Sequence, residues 1–169
     1  MKQLLWMALV IAGINYAYGD EAMKPVDVKP FEVHGIEVST TNEAEMKSGT
    51  AKIPGLWANF YRDHYGKTLI GTPVYGVYTN YESDVNGRYS VVAGVKADRA
   101  DTKYKDVRIE GGRYLVFKKE GDSPASVVAA WQDVWKYFAN ANSEYKRSYT
   151  TDFEVYESPT KVAVYIAIR

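Results

Sequence analysis

Cysteine is absent from the 169 residues. That removes disulfides, thiol nucleophiles, iron–sulfur clusters and cysteine-based zinc sites together. Histidine is nearly as scarce: His34 and His64 are the only two, too few for a multi-histidine metal site, and neither stands in a haem-attachment motif. Neither sign of charge is in excess, with 21 basic against 21 acidic side chains. A neutral chain has no electrostatic footprint for a phosphate backbone, so nucleic acid is not expected as a direct partner. The glycines are scattered and form no phosphate loop. No serine has a convincing histidine partner for nucleophilic catalysis. Glu82, Asp84 and Asn86 are too closely spaced and too few for a calcium loop, and read as turn chemistry. No metal and no cofactor is therefore expected. What is plentiful is tyrosine: 15, beside 4 Trp and 5 Phe. Tyr and Trp carry a broad apolar face and one hydrogen-bonding tip, the chemistry of a pocket or an interface.

The apolar run Leu4 to Ile14 follows Lys2 and is eleven residues long. A bilayer span needs about 20, so no stable membrane span is expected. The run suits the core of a secretory signal peptide, with Ala17 and Gly19 as the small residues of a cleavage site before Asp20. Residues 1–19 are therefore read as a leader to a secreted or periplasmic destination. The alternatives are a cytoplasmic protein whose translation starts at Met23, and an uncleaved, weakly held membrane anchor formed by residues 1–19. Residues 20–30, polar and containing Pro25 and Pro30, read as a tether.

From Phe31 the chain becomes strand-like, with Gly35 breaking strict alternation as a bulge would. Ile53, Leu56, Trp57, Phe60 and Tyr61 recur at spacings of three and four, which predicts an amphipathic helix with Pro54 in its first turn. Val74 to Tyr81 predicts a strand, Ser83 to Gly87 a hairpin turn, and Arg88 to Ala97 the returning strand. A charged linker, residues 98–106, divides the chain. Val107 to Lys119 then reads as a strand interrupted at Gly111-Gly112. Ser123 reads as an N-cap and Pro124 as the first residue of a second helix, carrying the stripe Val127, Val128, Trp131, Val134, Trp135 and Phe138. Thr151 to Glu157 and Lys161 to Ile168 complete the set. The order strand–helix–strand–strand thus occurs twice, over 31–97 and 107–169. Val74-Tyr75-Gly76-Val77-Tyr78 echoes Asp152-Phe153-Glu154-Val155-Tyr156, and each strand is followed by Glu-Ser. The expected fold is α+β: two βαββ repeats in one antiparallel sheet, covered on one face by two helices. The opposite face, or the seam between the halves, is left for a ligand.

Several segments together resemble the GyrI-like effector-binding domain, the ligand sensor of some AraC- and MerR-type regulators. They are Ile53-Pro54-Gly55-Leu56-Trp57, the run Tyr75 to Asp84 leading to Asn86-Gly87-Arg88-Tyr89, Ala130-Trp131 with Val134-Trp135, and Asp152 to Tyr156. The resemblance covers residues 31–169 as a single domain and is nearest to small stand-alone members. It implies pseudo-twofold symmetry, an aromatic cleft between the repeats, and an acidic residue in that cleft that pairs with cationic, hydrophobic ligands. The matching residue is Glu154. The haem-binding SOUL fold has a similar repeat.

Glu154 is the carboxylate of an otherwise apolar strand. Alternation puts Phe153 and Val155 on one face and Glu154 and Tyr156 on the other. The expectation is that the helices cover Phe153 and Val155, leaving Glu154 on the open side; a Glu154 reaching bulk water, or buried on the helix-covered side, would remove the reason to expect a cation receptor. Tyr78 and Tyr156 are symmetric mates that would wall the cleft, or else pack across strands. Gly76 would leave space for the ligand, or mark a bend. Trp57 and Tyr61 would close its ends, or belong to the helix–sheet core, as Trp131, Trp135 and Phe138 are expected to do. The leading function is binding of a small amphipathic cation without catalysis. A hydrolase using Glu154 as base with Tyr78 or Tyr156 as proton partner is the alternative. A third reading is a protein-interaction module like a gyrase inhibitor.

Overall fold

The computed structural model describes residues 24–65, 71–96 and 104–169. The leader, the alternative start at Met23 and residues 98–103 of the linker lie outside them. Eight antiparallel strands form one sheet in the order β1-β6-β8-β7-β3-β4-β2-β5. They are β1 Val26–Val28, β2 Phe31–Thr41, β3 Val74–Thr79, β4 Arg88–Lys96, β5 Lys105–Ile109, β6 Gly112–Glu120, β7 Asp152–Ser158 and β8 Lys161–Ala167. The helices are α1 Asn42–Glu45, α2 Ile53–Asn59 and α3 Ala125–Ala139, with a π-helical turn, Phe60–Tyr65, continuing α2. Among the described residues no helix is long and apolar enough to cross a membrane.

The sheet curls onto itself. β5 and β6 are six strands apart in the order, about 29 Å in a flat sheet. Yet only Glu110 and Gly111 separate Ile109 from Gly112, a reach of at most about 11 Å. The interruption at Gly111-Gly112 is thus a crossing that carries the chain from one side of the sheet order to the other, with β5 and β6 running in the same sense. The stretch 107–119 is two strands. β1 helps to close the ring: Val26 to Val28 pair with Tyr114 to Gly112. These three residues of the segment read as a tether belong to the sheet.

The inside of the curl is filled by strand residues: Val33, Val77, Val92, Ile109, Tyr114 and Phe153 are buried there. Phe153 stacks on Tyr165 with centroids 4.4 Å apart and meets Phe31 edge-on at 5.8 Å. Each such side chain fully buried contributes roughly 1.5–3 kcal/mol, so this core needs no helix over it. Gly35 is not a bulge, because its pairing with Gly94 and its neighbours runs on without interruption. It is a point of close approach: a Cβ there would lie 2.1 Å from the Ala93 carbonyl oxygen.

The helices pack on the outer face, over the residues of opposite parity. Leu56 and Phe60 of the first helical segment bury against Val74, Val91 and Ala93. Ala130 and Val134 of α3 bury against Leu115, Phe117, Val164 and Ile166. Pro54 sits in the first turn of α2, where its missing N–H is no loss. The Glu45 carboxylate accepts the Lys52 and Ile53 amides at 2.9 and 3.2 Å, in the place of a capping side chain. At α3 the cap residue is Pro124 and not Ser123.

This corrects the expected faces. Phe153 packs inside the helix-free curl, while Glu154, opposite Gly76 and Val164, lies on the helix side. The alternation is as read, but the side it assigned to the helices is the reverse. Phe153 finds its cover in other strands.

Candidate functional site

Glu154 is buried on the helix side, where no receptor was expected, but the two helices stand apart and leave a cleft above it. α2 rests on β2 and β4, and α3 on β6 and β8. The central pair, β3 and β7, runs beneath the gap, which is a cleft of about 1380 Å³. That exceeds the usual 300–1,000 Å³ of small-molecule pockets.

Two adjacent rows on each helix build its walls. In the first helical segment Leu56 and Phe60 form the buried row, and Trp57 and Tyr61, one residue on, face the cleft. In α3 Ala130 and Val134 form the buried row, and Trp131 and Trp135 face the cleft. Trp57 stacks on Tyr61 at 6.0 Å, and Trp131 lies tilted against Trp135 at 6.3 Å. Tyr61 and Trp135 are 48% and 52% exposed, which puts both at the mouth. The contacts cross the seam in matching fashion. Trp57 meets Tyr156 edge-on at 5.1 Å, and Trp131 meets Tyr78 edge-on at 5.0 Å.

At the floor Glu154 is 1% exposed. Its Oε1 accepts the Tyr78 hydroxyl at 2.8 Å and the Trp131 indole N–H at 2.5 Å. Its Oε2 accepts the Tyr156 hydroxyl at 2.7 Å. Burial pushes the carboxyl above its ordinary range, against the pull of these three donors. Burial and the adjacent carboxylate raise Tyr78 and Tyr156 as well, so both stay protonated and keep donating. Every donor is neutral, and no Lys, Arg or His pairs with Glu154 among the described residues. The arrangement satisfies the carboxylate's geometry while leaving its charge unbalanced.

The described lining includes five carboxyl groups, from Glu45, Asp84, Asp122, Glu154 and Glu157, and one cation, Arg147. Arg147 is itself paired with Asp152 at 2.6 Å. Among the described residues the charge that lines the cleft is therefore mainly negative.

Five of the six residues singled out from the sequence, Glu154, Tyr78, Tyr156, Trp57 and Tyr61, line this cleft. Gly76 does not. It makes room for the carboxylate: a Cβ there would lie 2.6 Å from Glu154 Oε2 and 3.1 Å from Trp57 Cζ2. Gly76→Ala is therefore expected to push Oε2 off the Tyr156 hydroxyl. Overpacking of this kind costs about 1–3 kcal/mol, which outweighs the roughly 0.5–1 kcal/mol that alanine gains over glycine in a strand. A lowered melting temperature in thermal denaturation is the expected result; an unchanged or raised one contradicts this role for Gly76.

Trp131 and Trp135, expected in the core, face the cleft. Their signal was present in the sequence. Of two neighbouring rows spaced by four, the small residues Ser126, Ala130 and Val134 are the ones that let a helix approach a sheet closely. The larger row is left to face the gap. Tyr81 and Arg147, which sequence reasoning passed over, also line the cleft. His34 is elsewhere, across from Asp106 in the β2–β5 ladder and in contact with its carboxylate.

A family model described as Cass2, integron-associated effector binding protein, matches residues 26–168. An integron cassette protein from the mobile metagenome of Vibrio cholerae is 39% identical in its solved structure, with a TM-score of 0.78 over 86% of this chain and 95% of the other. YobU of Bacillus subtilis (strain 168), named as a candidate transcriptional regulator, is 25% identical over 158 residues, which are 85% of this chain and 94% of YobU. The structure of SAV2435 bound to tetraphenylphosphonium has a TM-score of 0.67 at 17% identity, over 86% of this chain and 93% of the other. It shares the fold.

Proposed function

The chain belongs to the Cass2 family of integron-associated effector-binding proteins, and from that premise we propose that its cleft receives a small amphipathic cation held by the Glu154 carboxylate. One observation carries this reading. A fully buried carboxylate lies at the floor of an aromatic cleft, and its hydrogen bonds come from neutral groups alone. A lipophilic cation supplies the missing charge without bringing a hydration shell that the cleft would have to strip. Trp57, Trp131 and the two tyrosines add cation–π contacts of roughly 0.5–2 kcal/mol each. That SAV2435 was solved with tetraphenylphosphonium supports the choice of that ion as the first probe.

The hydrolase reading is less well supported by the same geometry. Three donors occupy both oxygens of Glu154, so a water would have to displace one of them before the carboxylate could take its proton. Sensing of the effector, as in the AraC-type domains that the sequence resembles, is the use we propose for the binding.

Calorimetric titration with tetraphenylphosphonium over a range of pH tests the reading. Burial holds the Glu154 carboxyl above the usual range, so at low pH it is protonated and offers no charge. Affinity is expected to rise with pH through that titration, with one proton released per ion bound, and to level off above it. Binding that is absent at every pH, or equally strong with the carboxyl protonated, would overturn the proposal.

A further inference from the structure

The cleft has a second polar pole. Arg147 is 9% exposed and is the single positively charged side chain in the described lining. Its guanidinium has five N–H donors. Nε and Nη2 both donate to Asp152 Oδ2, at 3.0 and 2.6 Å, and Nη2 also donates to the Tyr81 hydroxyl at 2.8 Å. The two donors of Nη1 have no acceptor among the described residues. Three rings pack around the guanidinium: Tyr149 at 4.7 Å, Tyr81 at 5.3 Å and Trp131 at 5.8 Å. Arg147 is thus fixed on one edge by Asp152 and held by rings, and it lines the cleft with the two N–H donors of Nη1 uncommitted among the described residues.

Trp131 joins the two poles. Its N–H donates to Glu154, and its ring lies against Arg147. A ligand resting on this indole reaches the carboxylate at one end and the guanidinium at the other.

We propose that the effector carries an uncharged oxygen acceptor, of the carbonyl, ester or amide kind, remote from its cationic centre, and that Arg147 Nη1 donates to it. This rests on the cation reading for the ligand's other end. The oxygen is neutral because Asp152 already balances the guanidinium. A carboxylate placed there would face Asp152 and the negative cleft, whereas a carbonyl accepts the N–H without bringing charge. Such a ligand is elongated and polar at both ends, in keeping with a cleft larger than one bulky cation fills.

The test uses matched alkyltriphenylphosphonium ions whose chains carry either a ketone or a methylene at one position, moved stepwise away from phosphorus. A neutral aryl ketone and its methylene analogue are run in parallel. Affinities are read from tryptophan fluorescence. At one chain position the ketone is expected to bind roughly tenfold more tightly than its methylene partner. Arg147→Lys keeps a charge opposite Asp152 but loses the open fork, and should bring that ratio close to one. Equal affinity within every pair on the unaltered protein overturns the proposal, and needs no variant to fold. A ratio that survives Arg147→Lys also overturns it. If the phosphonium ions fail to bind while the neutral ketone is still preferred over its methylene analogue, the cation reading falls and the acceptor pole stands.

Discussion

Glu154→Gln is expected to weaken binding of tetraphenylphosphonium by about a hundredfold, while leaving a neutral triaryl analogue such as triphenylmethanol within about threefold. The phenyl groups keep the phosphonium charge about 5–6 Å from the carboxylate. At an effective dielectric of about 20 their attraction is about 3 kcal/mol, which is about two decades in affinity. The substitution preserves shape. The glutamine carbonyl takes the place of Oε1, which accepts from Tyr78 and Trp131. Its amide then stands where Oε2 was, opposite a Tyr156 hydroxyl that can rotate to accept. A second consequence has the opposite sign. The folded carboxyl sits above its unfolded value because burial disfavours its charge. The folded state therefore holds more protons than the unfolded chain across the window between the ordinary carboxylate range and the raised value. Stability is full below that window and is lost as pH rises through it. Above the window Glu154→Gln removes the buried charge, so the empty protein should melt higher than the parent. A variant that binds less and melts higher is the signature of a residue kept for its ligand. If cation affinity and melting temperature both stay put, the charge of the buried Glu154 plays no part in binding.

Asp152→Ala is expected to lower stability by about 3–5 kcal/mol, the usual cost of stripping one partner from a buried ion pair. For a chain of this size that is a fall in melting temperature of roughly 6–20 °C. Asp152 is 0% exposed. One oxygen accepts Arg147 twice and the Tyr81 hydroxyl at 2.7 Å, and the other accepts the Ala167 amide at 2.8 Å. The carboxylate so ties the segment after α3, the end of the β3 hairpin and the last strand to one point. Removing it leaves a guanidinium that cannot discard its proton among Tyr81, Tyr149 and Trp131, and a backbone N–H without its acceptor. Asp152→Asn, which keeps acceptor oxygen at the site, should lose less. Circular dichroism melts decide: a change under about 2 °C for the alanine variant would show that water already serves this network.

Much of this arrangement is legible in the sequence because strand parity is strict. The echo between Val74–Tyr78 and Asp152–Tyr156 placed Gly76 opposite Glu154, and the two face each other across β3 and β7. What parity lacks is a label for the two faces. Phe153 and Val155 look like a surface waiting for a helix, yet the sheet curls and covers Phe153 with Phe31, Tyr114 and Tyr165. Nothing local in that strand announces the curl. It follows from the two-residue link between β5 and β6, where Gly111-Gly112 looks from sequence like a mere interruption. Trp131 was misassigned for a related reason. Periodicity groups all apolar positions of α3 into one stripe, while packing divides them into a small row that touches the sheet and a large row that does not. Tyr81 was read as the end of the strand from Val74, but that strand stops at Thr79 and Asn80, at φ 52°, breaks the alternation; Arg147 lies in an irregular segment, where sequence spacing says nothing about convergence on one carboxylate.

Carbon-13 NMR of the Glu154 side-chain carboxyl, followed against pH with and without saturating tetraphenylphosphonium, reaches the heart of the matter. A bound cation favours the ionised form, so the titration midpoint should start above the normal glutamate range and drop when the ion is present. An identical midpoint in both samples would mean that the ion binds without regard to the carboxylate's charge, and the cleft would then be an aromatic pocket with no cation receptor at its floor.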